Sequence, residues 1–200
     1  MKEMITGGSD KQQRDDMEKL RRDGTDKPQS GDTLRVADII NESIVDGPGL
    51  RLVIFTQGCA RMCPGCHNPK THLPDGGHDV SIGDILLRVK HNPLLRGLTF
   101  SGGEPFLQAG PLSRVAKAVK ENGLDIVTYT GYTYEELLSG ANDSNNWLDL
   151  LWNTDILVDG PYVENLRTLD VPFIGSKNQR AIDIKLSMAR GEIVLYKFGG

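Results

Sequence analysis

The sequence is poor in aromatic residues, which make up 6% of the chain, and it holds only three cysteines. No segment approaches the roughly 18 consecutive apolar residues that indicate a membrane-spanning helix. The amino-terminal segment lacks the apolar core of a secretory signal, so we expect a soluble, cytoplasmic protein. The formal net charge of −4 gives no broad positive surface, so we expect neither nucleic acid nor a membrane as a partner.

The three cysteines form a tight group at Cys59, Cys63 and Cys66. An odd, clustered set is a poor disulfide framework and, in a reducing compartment, indicates a metal or iron–sulfur site. Three thiolates can hold three corners of a [4Fe–4S] cluster and leave the fourth iron open. The residues alone leave two alternatives, which are a zinc site completed by His67 or His72 and a group of redox thiols without a metal.

Residues 1–33 differ in composition from the rest of the chain. They hold 15 charged residues and only five apolar side chains, and the first aromatic residue of the chain is Phe55. Such a segment buries too little apolar surface to offset the entropy lost on ordering. We therefore expect a disordered charged tail over residues 1–33 and a single domain over residues 34–200.

Strands and helices alternate beyond this tail. Short runs of strand-forming residues predict strands, and apolar stripes with helical spacing predict helices. The predicted strands are 34–40, 52–56, 97–101, 124–130 and 155–159, with one or two more in 181–186 and 193–197. The predicted helices begin near Ser81, Pro111, Thr133 and Asn146.

This alternation is typical of βαβ units with a parallel sheet whose faces are covered. About 165 residues are too few for an eight-unit barrel, which needs about 250. We therefore predict an α/β fold with a partial, open barrel of parallel strands and outer helices, similar to part of a TIM barrel. The long loop over residues 58–77 carries all three cysteines.

A second candidate site follows the strand predicted at 97–101. Gly102 and Gly103 allow a ligand to approach the backbone closely, and Glu104 can accept a hydrogen bond from an ammonium group. Alone, a glycine pair after a strand is more typical of a plain turn. However, this segment and the cysteine loop both follow the carboxyl ends of predicted parallel strands, the edge where such folds build sites.

Cysteines with gaps of three and two residues, followed by Ser101-Gly-Gly-Glu-Pro105, resemble the radical S-adenosylmethionine superfamily. Other segments are similar to the activating proteins of glycyl radical enzymes, above all those of anaerobic ribonucleoside-triphosphate reductase. These segments are 46–51, 63–68, 129–132, 158–161 and 175–180. The superfamily commonly has an aromatic residue before the third cysteine, whereas Gly65 stands here, as in the reductase-activating family.

The resemblance implies an oxidoreductase in which Cys59, Cys63 and Cys66 ligate a [4Fe–4S] cluster that binds S-adenosylmethionine. Reductive cleavage would give a 5′-deoxyadenosyl radical, which takes hydrogen from a glycine of the reductase and leaves a glycyl radical. This chemistry belongs to the cofactors and implies no catalytic side chain. The cofactor contacts that the resemblance implies are Gly65, Cys66, His67, Ser101, Gly102, Gly103, Glu104, Thr130 and Asp159.

The resemblance also implies a protein substrate and reduced flavodoxin or ferredoxin as the electron donor. The alternatives are an activating protein of another glycyl radical enzyme and a non-enzymatic Cys3His zinc module. An iron–sulfur electron carrier is less well matched, since it usually supplies four ligands. For Asp159, a turn or helix cap before Gly160 is an equal alternative. We expect His72, His78 and His91 on the surface.

Overall fold

The structure is a computed structural model that describes residues 32–198. Its strands are β1 (Thr33–Ser43), β2 (Arg51–Thr56), β3 (His78–Ser81), β4 (Gly97–Gly102), β5 (Asp125–Tyr129), β6 (Ile156–Asp159) and β7 (Arg180–Asp183). They form one sheet in the order β3-β1-β2-β4-β5-β6-β7. The disorder predicted for residues 1–33 concerns positions that, but for the last two, lie outside the described residues. The predicted boundary needs a small correction, because Thr33 already belongs to β1 and pairs with Ser81 of β3.

The described residues contain α1 (Ile82–His91), α2 (Ala109–Lys120), α3 (Tyr134–Gly140), α4 (Trp147–Asn153) and α5 (Ile184–Arg190). Two predicted helix starts are confirmed by their caps. The Ser81 hydroxyl accepts the backbone N–H of Asp84 at 3.0 Å, and Thr133 and Glu136 form a capping box. No helix in this part of the chain is both long and apolar enough to cross a membrane.

The open α/β architecture is confirmed. Strands β2, β4, β5 and β6 are parallel neighbours, and the sheet does not close on itself. The outer strands differ from the predicted all-parallel arrangement, because β1, β3 and β7 pair antiparallel. Strand β3 was not predicted, since its four residues lie between the cysteine loop and the helix predicted to begin near Ser81.

The strands predicted at 181–186 and 193–197 need correction. Strand β7 ends at Asp183, whose carboxylate accepts the N–H of Leu186 at 2.8 Å and starts helix α5. Ile182 and Ile184 favour a strand through residues 181–186. The Asp183 cap instead favours a helix after residue 183, because it satisfies an N–H group that has no partner within the helix. The later segment contributes one isolated bridge, from Leu195 to Ile182.

The outer face of the sheet packs against the helices. Leu52 and Ile54 of β2 and Phe100 of β4 are buried in one large cluster with Leu112 and Val115 of α2. Alternate residues on the strands point the other way, as the two-residue strand period requires. They form a second cluster around Val127, Ile156, Val158 and Ala181.

Arg51 anchors the amino-terminal ends of the parallel strands. Its guanidinium is fully buried and forms an ion pair with Asp125 at 2.6 Å. It also donates to the Thr99 hydroxyl at 2.8 Å and to the Pro48 carbonyl at 3.0 Å. The segment 46–51, which the sequence marked as family-like, therefore stabilises the base of the sheet.

Candidate cofactor site at the carboxyl edge of the parallel strands

A cavity of about 460 Å³ lies at the carboxyl ends of the parallel strands. The loop after β2 contributes Cys59, Cys63 and Cys66 to its wall. The carboxyl end of β4 contributes Ser101 and Gly102, and the loops after β4, β5 and β6 also reach the cavity. The two motifs that the sequence placed at one edge of the sheet thus line a common space.

The predicted site residues divide into two groups. Those that line the cavity are Cys59, Cys63, Cys66, His67, Ser101, Gly102, Gly103 and Thr130. Those that do not line it are Gly65, Glu104 and Asp159. The structure therefore gathers most of the predicted set around one space, and the individual roles stay predictions.

The cysteine loop is fixed at both ends by backbone hydrogen bonds. The N–H of Gly58 donates to the Thr71 carbonyl at 2.8 Å, and that of Cys59 to the His72 carbonyl at 2.9 Å. The buried Gln57 side chain donates to the Lys70 carbonyl at 3.0 Å. These bonds hold the first cysteine against the far end of its own loop.

All three cysteines are free and partly buried. Burial raises the pKa of the Cys59 thiol, and hydrogen bonds from the backbone N–H groups of Arg61 and Met62 oppose this rise. The backbone N–H of Asn68 donates to Cys66 Sγ at 3.4 Å. A set of soft thiol donors in one loop, with N–H groups directed at sulfur, fits an iron–sulfur cluster.

A mononuclear zinc site requires its ligands to converge on one point. Within residues 32–198, no three His, Cys, Asp or Glu side chains are grouped to hold one metal ion. The His67 ring instead packs on Tyr162, with ring centroids 5.1 Å apart. A cubane cluster does not require this convergence, because each cysteine binds a different iron.

Glu104 joins two of the loops that surround the cavity. Its carboxylate is buried and accepts the Phe106 N–H at 3.1 Å, the Thr130 hydroxyl at 2.8 Å and the Gly131 N–H at 2.8 Å. Burial raises the pKa of Glu104 to about 7, against the effect of these hydrogen bonds. The carboxylate is thus occupied within the protein, and its predicted contact with a cofactor ammonium stays a prediction.

Asp159 is buried and serves as a junction between elements. Its carboxylate accepts the N–H of Tyr134, the first residue of α3, at 2.8 Å and the Nε–H of Arg180 at 3.0 Å. Arg180 also pairs with Glu135 at 2.7 Å. These contacts tie β6, α3 and β7 together, and the predicted cofactor contact of Asp159 stays a prediction, as does its alternative role in a local turn or cap.

The glycine pair at the end of β4 permits close packing of backbone on backbone. Gly102 has φ of +94°, and a Cβ there would lie 2.6 Å from Phe55 Cα. A Cβ on Gly103 would lie 2.3 Å from the Gly58 carbonyl oxygen. Gly102 is therefore required by the close approach of β4 to β2, and Gly103 by its contact with the start of the cysteine loop, in addition to any approach of a ligand.

We expect Gly103→Ala to lower the free energy of unfolding by about 1–3 kcal/mol, because the new methyl group overlaps backbone that cannot move aside. Urea denaturation followed by circular dichroism measures this difference. Gly83→Ala is the matched control, since its Cβ would meet only the Ser81 hydroxyl at 3.8 Å. Equal stability of Gly103→Ala and the wild type would contradict this account of the glycine pair.

Several residues around the cavity are not marked by any sequence motif. Arg61 lies over the Tyr132 ring, 4.5 Å from its centroid, and pairs with Glu136 at 2.7 Å, so it ties the cysteine loop to α3. The Tyr129 hydroxyl donates to the Phe173 carbonyl at 3.0 Å and holds segment 168–175 as a further wall. The motif at 129–132 pointed to Tyr129, whereas no pattern marked Arg61 or this segment.

Comparison with protein families identifies the class of this site. A family described as a 4Fe-4S single cluster domain matches residues 45–182. That range covers more than half of the chain and includes the three cysteines and every residue that lines the cavity. The fold and the site are thus those of an iron–sulfur protein.

Individual relatives are activating proteins. The anaerobic ribonucleoside-triphosphate reductase-activating protein of Enterobacteria phage T4 is 32% identical over 142 residues, which is 68% of this chain and 85% of the relative. The corresponding protein of Vibrio cholerae is 36% identical over 149 residues, covering 68% and 89%. The chain therefore belongs to the 4Fe-4S single cluster family and, within the radical S-adenosylmethionine superfamily, to these activating proteins.

Two other similarities are more limited in extent. The pyruvate formate-lyase-activating enzyme of Clostridium pasteurianum is 35% identical over 138 residues, and the chain spans about half of that relative, 54% of its length. The solved structure of QueE from Escherichia coli is 17% identical, with a TM-score of 0.38, and covers 50% of this chain and 54% of that one. The latter likeness is too low to support an inference.

Proposed function

We propose that this protein activates an anaerobic ribonucleoside-triphosphate reductase by installing a glycyl radical. When bound at this site, the cluster and S-adenosylmethionine would supply one-electron reductive cleavage and the hydrogen abstraction that leaves a radical on a reductase glycine. The chain itself binds and orients the cofactors and limits the access of water.

One observation carries this proposal. The three free thiols line the same cavity as Ser101, Gly102 and Gly103, at the carboxyl edge of the parallel strands. Three thiolates would hold a [4Fe–4S] cluster and leave one coordination position open to a second ligand. The cavity beside them offers room and exposed backbone groups for that ligand.

The positions of the residues around the cavity suggest which of them bind the cluster and which contact the cofactor. We assign cluster ligation to the three cysteines and contact with the cofactor to the backbone at Ser101–Gly103 and to Thr130 on the neighbouring strand end. Cys66 and His67 would contact the cofactor from the cysteine loop. We propose that Gly65, Glu104 and Asp159 support these contacts through the turns and loops that they hold.

The identity of the protein substrate is supported by three separated segments. Segments 129–132, 158–161 and 175–180, which resemble the reductase-activating family, all contribute to the cavity wall. Because these segments surround the site, we propose the anaerobic reductase as the protein substrate. Another glycyl radical enzyme such as pyruvate formate-lyase is the second candidate, since a relative named for its activation is equally similar in sequence.

Reductive cleavage consumes one electron and therefore needs a donor. We propose reduced flavodoxin or ferredoxin for this role, in the cytoplasm, where thiols stay reduced. We further propose that residues 33–200 form the single catalytic domain and that residues 1–32 form a charged tail. Neither proposal affects the assignment of the cluster ligands.

The test of substrate identity is electron paramagnetic resonance after activation. The protein is reconstituted anaerobically with iron and sulfide, then mixed with S-adenosylmethionine, dithionite and the anaerobic reductase of the same organism. We expect a glycyl radical signal on the reductase and none on pyruvate formate-lyase, and no signal on a reductase whose radical glycine is replaced by alanine. A signal on pyruvate formate-lyase alone would support the second candidate instead.

A further inference from the structure

His72 carries a hydrogen-bonding atom without a partner. Its Nε2 atom is buried, and none of residues 32–198 makes a hydrogen bond to it. The sequence placed His72 on the surface, yet it lines the cavity with the three thiols. Buried polar atoms are nearly always hydrogen-bonded, so this nitrogen indicates a partner that the chain itself does not supply.

The backbone fixes His72 next to the first cysteine. His72 caps the 3-10 helix Pro69–Thr71, and its own N–H donates to the Pro69 carbonyl at 3.3 Å. Its carbonyl accepts the N–H of Cys59 at 2.9 Å, beside the bond from Gly58 to Thr71. The imidazole is therefore attached to a backbone that is bonded directly to a cluster ligand.

Cysteine sulfur is an acceptor that lines the same cavity as His72. The backbone N–H of Asn68 already donates to Cys66 Sγ at 3.4 Å. An imidazole Nε2–H on the same wall would add a side-chain donor to this backbone donor. Hydrogen bonds to the sulfurs help set the reduction potential of an iron–sulfur cluster.

We propose that His72 donates its Nε2–H to a sulfur of the cluster held by Cys59, Cys63 and Cys66 and so raises the reduction potential of that cluster. The physical reason is that reduction adds negative charge, which a hydrogen-bond donor stabilises. The inference rests on the cluster part of the proposed function and not on the identity of the protein substrate.

The test is a redox titration of the reconstituted cluster without S-adenosylmethionine, followed by electron paramagnetic resonance. At a fixed potential, we expect His72→Phe to lower the ratio of reduced to oxidised cluster about tenfold, equivalent to about 59 mV for one electron. His72→Gln keeps an N–H donor and should lie closer to the wild type. His91→Phe, an exposed position on α1, is the control and should not change the ratio.

A second measurement covers the case in which the variants do not take up the cluster. With ¹⁵N-labelled histidine in the wild type, pulsed electron paramagnetic resonance of the reduced cluster should show a weak nitrogen coupling. Absence of that coupling would overturn the proposal, as would equal potentials of wild type and His72→Phe at equal iron content. A strong coupling would also overturn it, because it would mean that histidine is a direct ligand.

A titration without S-adenosylmethionine distinguishes a bond from His72 to the cluster from a contact between His72 and S-adenosylmethionine. It also tests His72 independently of the proposed function. If His72→Phe weakens S-adenosylmethionine binding but leaves the potential of the cofactor-free cluster unchanged, the nitrogen contacts the cofactor and the proposal is wrong. A wild type that holds a cluster without cleaving S-adenosylmethionine would refute the proposed function, while the potentials would still decide the role of His72.

Discussion

Cys63→Ala is expected to reduce 5′-deoxyadenosine formation by more than about 100-fold, because even residues that only support metal ligands typically change affinity or activity by about 10–100-fold. Cys63 lies at the middle of the cysteine set and lines the cavity. With two thiols left, the loop cannot hold three corners of the cluster. Iron content and chromatography of the nucleoside product measure the two effects.

The matched control for this variant lies in the same loop. Lys70→Ala removes an exposed side chain and leaves the three thiols in place. We expect it to bind iron and form 5′-deoxyadenosine as the wild type does. Full activity of Cys63→Ala, or equal losses in both variants, would contradict the assignment of Cys63 as a ligand.

Glu104→Ala is expected to lower the free energy of unfolding by about 3–5 kcal/mol. The change leaves the Phe106 N–H, the Thr130 hydroxyl and the Gly131 N–H without their acceptor in a buried site. Each buried donor left unpaired costs about 1–3 kcal/mol, and partial relaxation reduces the sum. Chemical denaturation of the apoprotein measures the loss without interference from the cofactors.

Glu104→Gln keeps the size of the side chain and removes its titration. Because burial raises the pKa of Glu104 from 4.5 to about 7, the folded protein binds this proton more tightly than the unfolded chain between those pH values. The stability of the wild type relative to Glu104→Gln should therefore fall as the pH rises from about 4.5 to 7 and stay constant above about 7. A constant difference from about pH 5 to 8 would show that Glu104 does not titrate in this range.

The parts of the fold that local signals determine were predictable. The hydroxyls of Ser81 and Thr133 cap helices as their spacing indicated, and the strand at Leu52 follows from its apolar run. The antiparallel direction of β1 was not predictable, because it depends on the loop that returns to β2 rather than on the residues of either strand. The helix that begins after Asp183 was also not predicted, because the pattern of residues 181–186 is typical of a strand.

The candidate site likewise contains residues that local motifs identify and residues that only long-range contacts bring to it. The cysteines and Ser101–Gly103 were found because spacing and motif order identify them before folding. Arg61 and segment 168–175 became visible only when the chain was folded, since their contacts are distant in sequence. Glu104 fits its motif, yet its carboxylate bonds to neighbouring loops, which no sequence pattern distinguishes from a cofactor contact.

The most direct test of the central claim is anaerobic reconstitution of the wild type with iron and sulfide, followed by dithionite and S-adenosylmethionine. We expect a brown protein that forms methionine and 5′-deoxyadenosine in equal amounts, measured by chromatography. A colourless protein that retains one zinc ion and forms no nucleoside would contradict it and would support the non-enzymatic metal module.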